Sequence, residues 1–362
     1  MTSNLFLHVT ARMTTCGVLL LLPSLQVVAA PAESDWQALN TLIVEQHVKP
    51  RYQAFTEASE LLAVTTSQLC EQPDEAHLSA AHSAYREAMN QWQGVQHIGF
   101  GPANTLMRSF EIQYWPDRRN TTSSHLRAAL SETGVVYDTD FFNSVGVSVK
   151  GFPALERLLF HEKSVSLYEN MSAQCRLAAA IAGRIRDNAV AIQNEWDDTA
   201  TDISSSEDGY GSSAEVATLF MKSLVEPLAV VRENKIISPL GDVYDKARWQ
   251  RSESWRSEQS IQNIRTNIQA LHYLFSGTHP LNVRDLLVKS GEEGLAEKAE
   301  QLFTTLQQQL DDLPEVQGTQ ISEQQFQQLT QVAVELHALH DVLSKGMMAM
   351  NIHLGFNSRD GD

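Results

Sequence analysis

The stretch Trp36-Gln-Ala-Leu39-Asn-Thr-Leu42-Ile43-Val-Glu-Gln-His-Val48-Lys-Pro-Arg-Tyr52-Gln-Ala-Phe55-Thr-Glu-Ala-Ser-Glu-Leu61-Leu62 repeats apolar residues at three- and four-residue spacing. That is the signature of one buried helix face. The same period returns over 77–92, after the start signal Pro73-Asp74, and over 175–196, where Leu177, Ile181, Ile185, Val190 and Ile192 form a stripe. It recurs over 215–231, 257–275, 294–310 and 322–344, whereas β-like runs are short. The fold class predicted is all-α, built as two up-and-down helical bundles.

A chain of 362 residues exceeds what one compact core usually holds. The seam lies at 201–213, Thr-Asp-Ile-Ser-Ser-Ser-Glu-Asp-Gly-Tyr-Gly-Ser-Ser, which is polar and rich in Gly and Ser. The expected organisation is a bundle over 33–200, a linker over 201–213 and a second bundle over 214–362. Two halves of similar helix count allow an old duplication.

Residues 1–32 read as a secretory signal. Arg12 is their one formal charge, the apolar run Gly17–Leu22 follows it, and small residues around Ala29 and Ala30 offer a cleavage site. Cys16 precedes the apolar run, which is the wrong place for lipid attachment. No later stretch reaches the roughly 20 apolar residues of a membrane span. The expected location is the periplasm or cell envelope, with no transmembrane anchor after signal removal.

The net charge is −17, and losing Arg12 deepens it by one. Such acidity repels nucleic acid and anionic lipid and favours cations or basic partners, or it serves solubility alone. With the signal removed, Cys70 and Cys175 are the remaining cysteines. An even count in an oxidising compartment predicts one disulfide between them.

Four stretches, 93–121, 134–152, 236–256 and 351–362, break the helical pattern and gather Gly, Pro, Trp and Arg. Irregular segments on a rigid helical scaffold are where binding usually resides.

Three of these regions carry a family resemblance. The tail Leu354-Gly-Phe-Asn357-Ser-Arg-Asp360-Gly-Asp362 resembles the closing signature of the imelysin family in shortened form. Glu253-Ser-Trp-Arg256-Ser257-Glu-Gln-Ser260-Ile-Gln-Asn263-Ile264 resembles its Ser-x-x-Ser-x-x-Asn-Ile stretch, and 149–160 occupies its motif region. The resemblance spans about residues 33–362. It implies a two-domain α-helical envelope protein of bacterial iron or haem uptake that binds a metal, a chelate or a partner in an interdomain cleft. Iron or another divalent metal is the implied cofactor, and an iron-uptake or outer-membrane receptor system the implied partner. The alternative is a metal-dependent peptidase of the envelope; a third reading is a module that docks on a receptor without any small ligand.

The family hallmark is Gly-x-His-x-x-Glu, and here the six residues are Gly151-Phe-Pro153-Ala-Leu-Glu156. His and Glu three apart on a helix share a face and can begin a metal site. Proline has no side-chain donor atom, so at most Glu156 remains as a ligand, and an enzyme role is weakened. Pro153 suits a first helical turn. Glu156 then either complements the helix dipole or faces the cleft as a ligand or an arginine partner.

Ser257 is placed to cap a helix whose face carries Arg256, Ser260 and Asn263. Around Trp115-Pro116-Asp117, a further resemblance, Arg108 and Asp117 are cleft candidates beside a Trp115 that suits a core equally. A separate metal candidate is His337, His340 and Asp341, at helical i, i+3 and i, i+4 spacing. No Gly-x-Ser-x-Gly elbow or His-Glu-x-x-His occurs, and neither Cys70 nor Cys175 lies in an activated setting.

Overall fold

A computed structural model describes Met1 and residues 30–160, 165–205, 210–277 and 280–355. Most of the predicted signal segment with Cys16, the seam residues 206–209, and the tail residues Asn357 and Asp360 lie outside the described residues. Among the described residues every regular element is helical. In chain order the α-helices are α1 Glu33–Ile43, α2 Lys49–Glu71, α3 Glu75–Gln93, α4 Arg108–Ile112, α5 Thr121–Ser131, α6 Thr139–Ser144, α7 Gly151–Leu159, α8 Ala173–Ser205, α9 Ser213–Val230, α10 Ser238–Leu240, α11 Ser260–Ser276, α12 Val283–Lys289, α13 Glu293–Asp311 and α14 Glu323–Ala349.

The single helix expected over 36–62 is divided into α1 and α2 by a π-helical turn, Val44–Val48. The cause is Pro50, which donates no N–H and crowds the carbonyl one turn back. Widening that turn absorbs both defects without ending the helix. The same device stands between α9 and α10, where the π turn Val231–Ile237 runs up to Pro239.

Helix starts follow local chemistry. The Asp74 carboxylate accepts the His77 N–H at 2.8 Å to open α3, and Ser212 with Glu215, and Ser322 with Gln325, form reciprocal capping boxes on α9 and α14.

Helices α2, α3 and α8 pack as one bundle with α7 against α8, and α9, α11, α13 and α14 pack as the other. Two contacts join them: α3 lies on α11, and α1, although first in the described chain, packs against α9. Asn40 Nδ2 donates to Ser213 O at 2.8 Å and Lys289 pairs with Asp35 at 2.7 Å on that seam. Buried apolar side chains form one continuous cluster from Trp36 to Ile352. Among the described residues no helix is long and apolar enough to cross a membrane.

Cys70 at the end of α2 and Cys175 at the start of α8 are bonded, with Cα atoms 5.5 Å apart across a separation of 105 residues. Closing so long a loop restricts the unfolded chain by roughly 4 to 5 kcal/mol in the entropy model. Replacing both cysteines with alanine is expected to lower the thermal midpoint markedly while leaving helical circular dichroism unchanged at 20 °C. An unchanged midpoint would show that the bond constrains nothing the packing does not already hold.

Candidate functional site

A polar cavity of about 600 Å³ opens where the two bundles meet. One wall comes from α7 and the loop before α5; the other is the irregular segment 249–257.

The first wall depends on Gly151. Its φ of +69° is left-handed, and a Cβ there would lie 2.2 Å from Glu111 O and 2.3 Å from Ile112 O. Only glycine allows α7 to start against the end of α4. Glu111 is itself fixed by Lys150 at 2.7 Å and Arg184 at 2.9 Å. Two residues on, Pro153 lines the cavity in the first turn of α7.

Glu156 is buried at the foot of the cavity, 4 % exposed. Its Oε1 accepts from the Ser257 backbone N–H at 2.9 Å and from the Ser257 hydroxyl at 2.8 Å. Burial raises its pKa above the ordinary 4.5, opposed by those two donors and by the Arg256 and Arg157 charges. Ser257 therefore does not cap α11: that helix starts at Ser260, and the N–H groups of Ile261 and Gln262 are taken by Glu315 instead. The hydroxyl goes to Glu156 because leaving a buried carboxylate unpaired costs more than leaving a helix end to another donor set.

Asp117 lines the cavity, yet its carboxylate is committed: Oδ1 accepts from Thr121 N at 2.8 Å and Oδ2 from Thr122 N at 2.8 Å, opening α5. Arg157 is held by Pro153 O at 2.8 Å and Ser123 Oγ at 3.0 Å, and reaches Asp117 at 3.8 Å.

The second wall turns on Glu253, 3 % exposed. Its Oε2 accepts from Lys235 at 2.8 Å, Gln93 at 3.1 Å and Asn263 at 2.9 Å, and its Oε1 from Gln113 at 2.8 Å. Lys235 also donates to Gln93 Oε1 and Asn267 Oδ1, each at 2.7 Å. Burial lowers the Lys235 pKa while Glu253 opposes the shift. Lys235 and Asn267 also border a second, more apolar cavity of about 270 Å³, so the network forms a partition.

Ser254 and Glu258 hold left-handed backbones at φ 55° and 57°, conformations that cost about 1–3 kcal/mol each in non-glycine residues. Asn263 Nδ2 to Ser254 Oγ at 3.0 Å and Ser260 Oγ to Glu253 O at 2.7 Å hold this turn. At the mouth, the Arg256 guanidinium stacks 4.3 Å over the Trp255 ring.

Of the sequence candidates, Trp115, Asp117, Pro153, Glu156 and Arg256 line the cavity, and Gly151, Ser257, Ser260 and Asn263 support its walls. Arg108 is elsewhere, in a two-pronged pair with Glu195 at 2.6 Å. The alternative set lies on the outer side of α14, with His337 62 % and Asp341 50 % exposed and His340 3.6 Å from Asp341. Among the described residues no three His, Cys, Asp or Glu side chains converge as metal ligands. Sequence reading passed over Lys235 and Gln93. The available signal was a lysine four residues beyond Val231 on an apolar helix face.

A helical cleft protein with a Gly-x-x-x-x-Glu turn at its interface belongs, by sequence, to the imelysin family: the family's sequence profile, filed as peptidase M75, matches residues 48–344. Iron-regulated protein A of Synechococcus elongatus is 23 % identical over 286 residues, covering 75 % of this chain and 74 % of that protein. An imelysin-like protein from Psychrobacter arcticum superposes with a TM-score of 0.73 at 19 % identity, over 91 % of this chain and all of that one. A crystal structure described as an iron-regulated protein A precursor from Parabacteroides distasonis gives 0.67 at 14 %, over 90 % and 95 %. These structures establish the fold.

Two outcomes follow from the wall chemistry. Lys235→Met strands the Glu253 charge and is expected to cost about 3–5 kcal/mol in urea unfolding. Combining it with Glu253→Gln should cost clearly less than the two single changes added, and strict additivity would contradict the coupling. For Glu156, the raised folded pKa means that its ionisation opposes folding as pH rises through that value. Glu156→Gln, which keeps the acceptor for Ser257, should raise the thermal midpoint at pH 7, and the gain should shrink as pH falls towards 4.5. A gain that stays constant over that range would remove burial as its cause.

Proposed function

We propose that this protein serves bacterial iron handling in the cell envelope, holding an iron-bearing small molecule in the cleft between two bundles divided at 201–213. The observation that carries the reading is the meeting of α7, the family-motif helix, with segment 249–257 around one polar cavity of about 600 Å³. Cavities of this size and mixed lining are the usual form of a small-molecule site. Iron enters through the relatives, two of which are named iron-regulated protein A. Envelope location rests on the predicted signal over 1–32, and the partner is an iron-uptake or outer-membrane receptor system.

The peptidase alternative draws on the family's classification. A metallopeptidase needs an open metal position and a general base, and the motif histidine here is Pro153, whose ring offers no ligand atom.

The test is accumulation of radioactive iron by iron-limited cells lacking the gene. Uptake should fall, return with the wild-type gene, and stay low with Trp115→Ala/Arg256→Gln expressed at equal level. Unchanged uptake in the deletion strain would sink the reading.

A further inference from the structure

The ionisable groups around the cleft are divided by sign. Its three carboxylates, Asp117, Glu156 and Glu253, accept from backbone or side-chain donors on the protein itself, and Glu253 is further neutralised by Lys235. The guanidiniums differ. Arg118, Arg251 and Arg256 line the cleft, and none has a carboxylate within salt-bridge distance among the described residues. Arg256 lies flat on Trp255, an arrangement that fixes the plane and leaves its N–H edges to donate outward. Arg157 is tethered beside it through Pro153 O.

In a chain of net charge −17, four arginines at one cavity are a local reversal of sign. Holding like charges together is costly unless something bound there compensates them. A bare cation would meet four positive charges and carboxylates already spent on hydrogen bonds; Pro153, at the motif's histidine position, gives it no ligand either. The residues present do not fit an uncomplexed metal ion.

We propose that the cleft takes an oxygen-rich anion, a small polycarboxylate free or as its ferric chelate, with Arg256 and Arg157 as its principal donors and Arg251 and Arg118 drawing it in from the rim. This rests on the cleft being the ligand site of the proposed function and adds that the protein grips the carboxylates of the chelator, with iron carried inside its ligand. Guanidinium forks match paired carboxylate oxygens, which specifies the ligand by charge and geometry.

The experiment is calorimetric titration of the purified protein with citrate, iron(III) citrate and, under anaerobic conditions, iron(II) sulfate. Citrate in at least one form should bind. Arg256→Gln should weaken that binding by at least ~10-fold, the scale of one lost charge-assisted bond. Arg251→Gln, on the exposed rim where folding is not at stake, should weaken it by about 2- to 5-fold at low salt and by less at high salt. Binding of iron(II) alone, with no response to either citrate form, would overturn the anion proposal and leave the iron function standing. Binding of citrate equally with and without iron would support the proposal and remove iron from the function. Citrate binding indifferent to both arginine variants, or no binding by any titrant, would also overturn it.

Discussion

The buried Lys235–Glu253 pair is the interaction on which the rest of the interface is built. Taking two charges out of water is costly, and their attraction repays it only when every remaining donor and acceptor is satisfied. Here the satisfaction comes from four separate places: Gln93 at the end of α3, Gln113 after α4, and Asn263 and Asn267 on α11. Shifting any one of those elements would leave part of the pair unpaired. The network therefore fixes the relative position of the two bundles more tightly than apolar contact, which tolerates sliding, would do.

From that anchor the cleft follows. Glu253 holds one end of the irregular segment 249–257, and Ser257, four residues later, reaches across to Glu156 on α7. The left-handed turn at Ser254 is carried by the same side chains that satisfy Glu253. The cleft's carboxylates thus act as structural members, committed to the protein, while its arginines face the cavity.

The helices were legible because burial on one face leaves a period in the sequence: the stripe on 175–196 is the buried face of α8, with Leu177, Ile181, Ile185 and Ile192 all buried. The disulfide was legible from cysteine count. The cleft was legible only in outline. Gly151, Pro153, Glu156 and Arg256 were marked by motif resemblance, but nothing local says that Ser257 bonds a residue 101 positions away and leaves its own helix to Glu315. Lys235 and Gln93 stand in ordinary helical sequence, and their roles exist only once α3 and the second π turn are side by side. Arg108 misled for the converse reason, since a dense aromatic and charged segment does not disclose which of its charges already has a partner, here Glu195 on α8.

The two π turns bear on how such a chain can change over generations. A widened turn holds one residue more than the α-helical path it replaces, and each residue of an α-helix advances the face by about 100°. Deleting one residue within Val231–Ile237 would swing everything that follows by that angle relative to α9, carrying Lys235 away from Glu253. Side chains along these helices can drift while burial is kept, but their length at Val44–Val48 and Val231–Ile237 cannot, so gaps between relatives should gather in the loops and spare both turns.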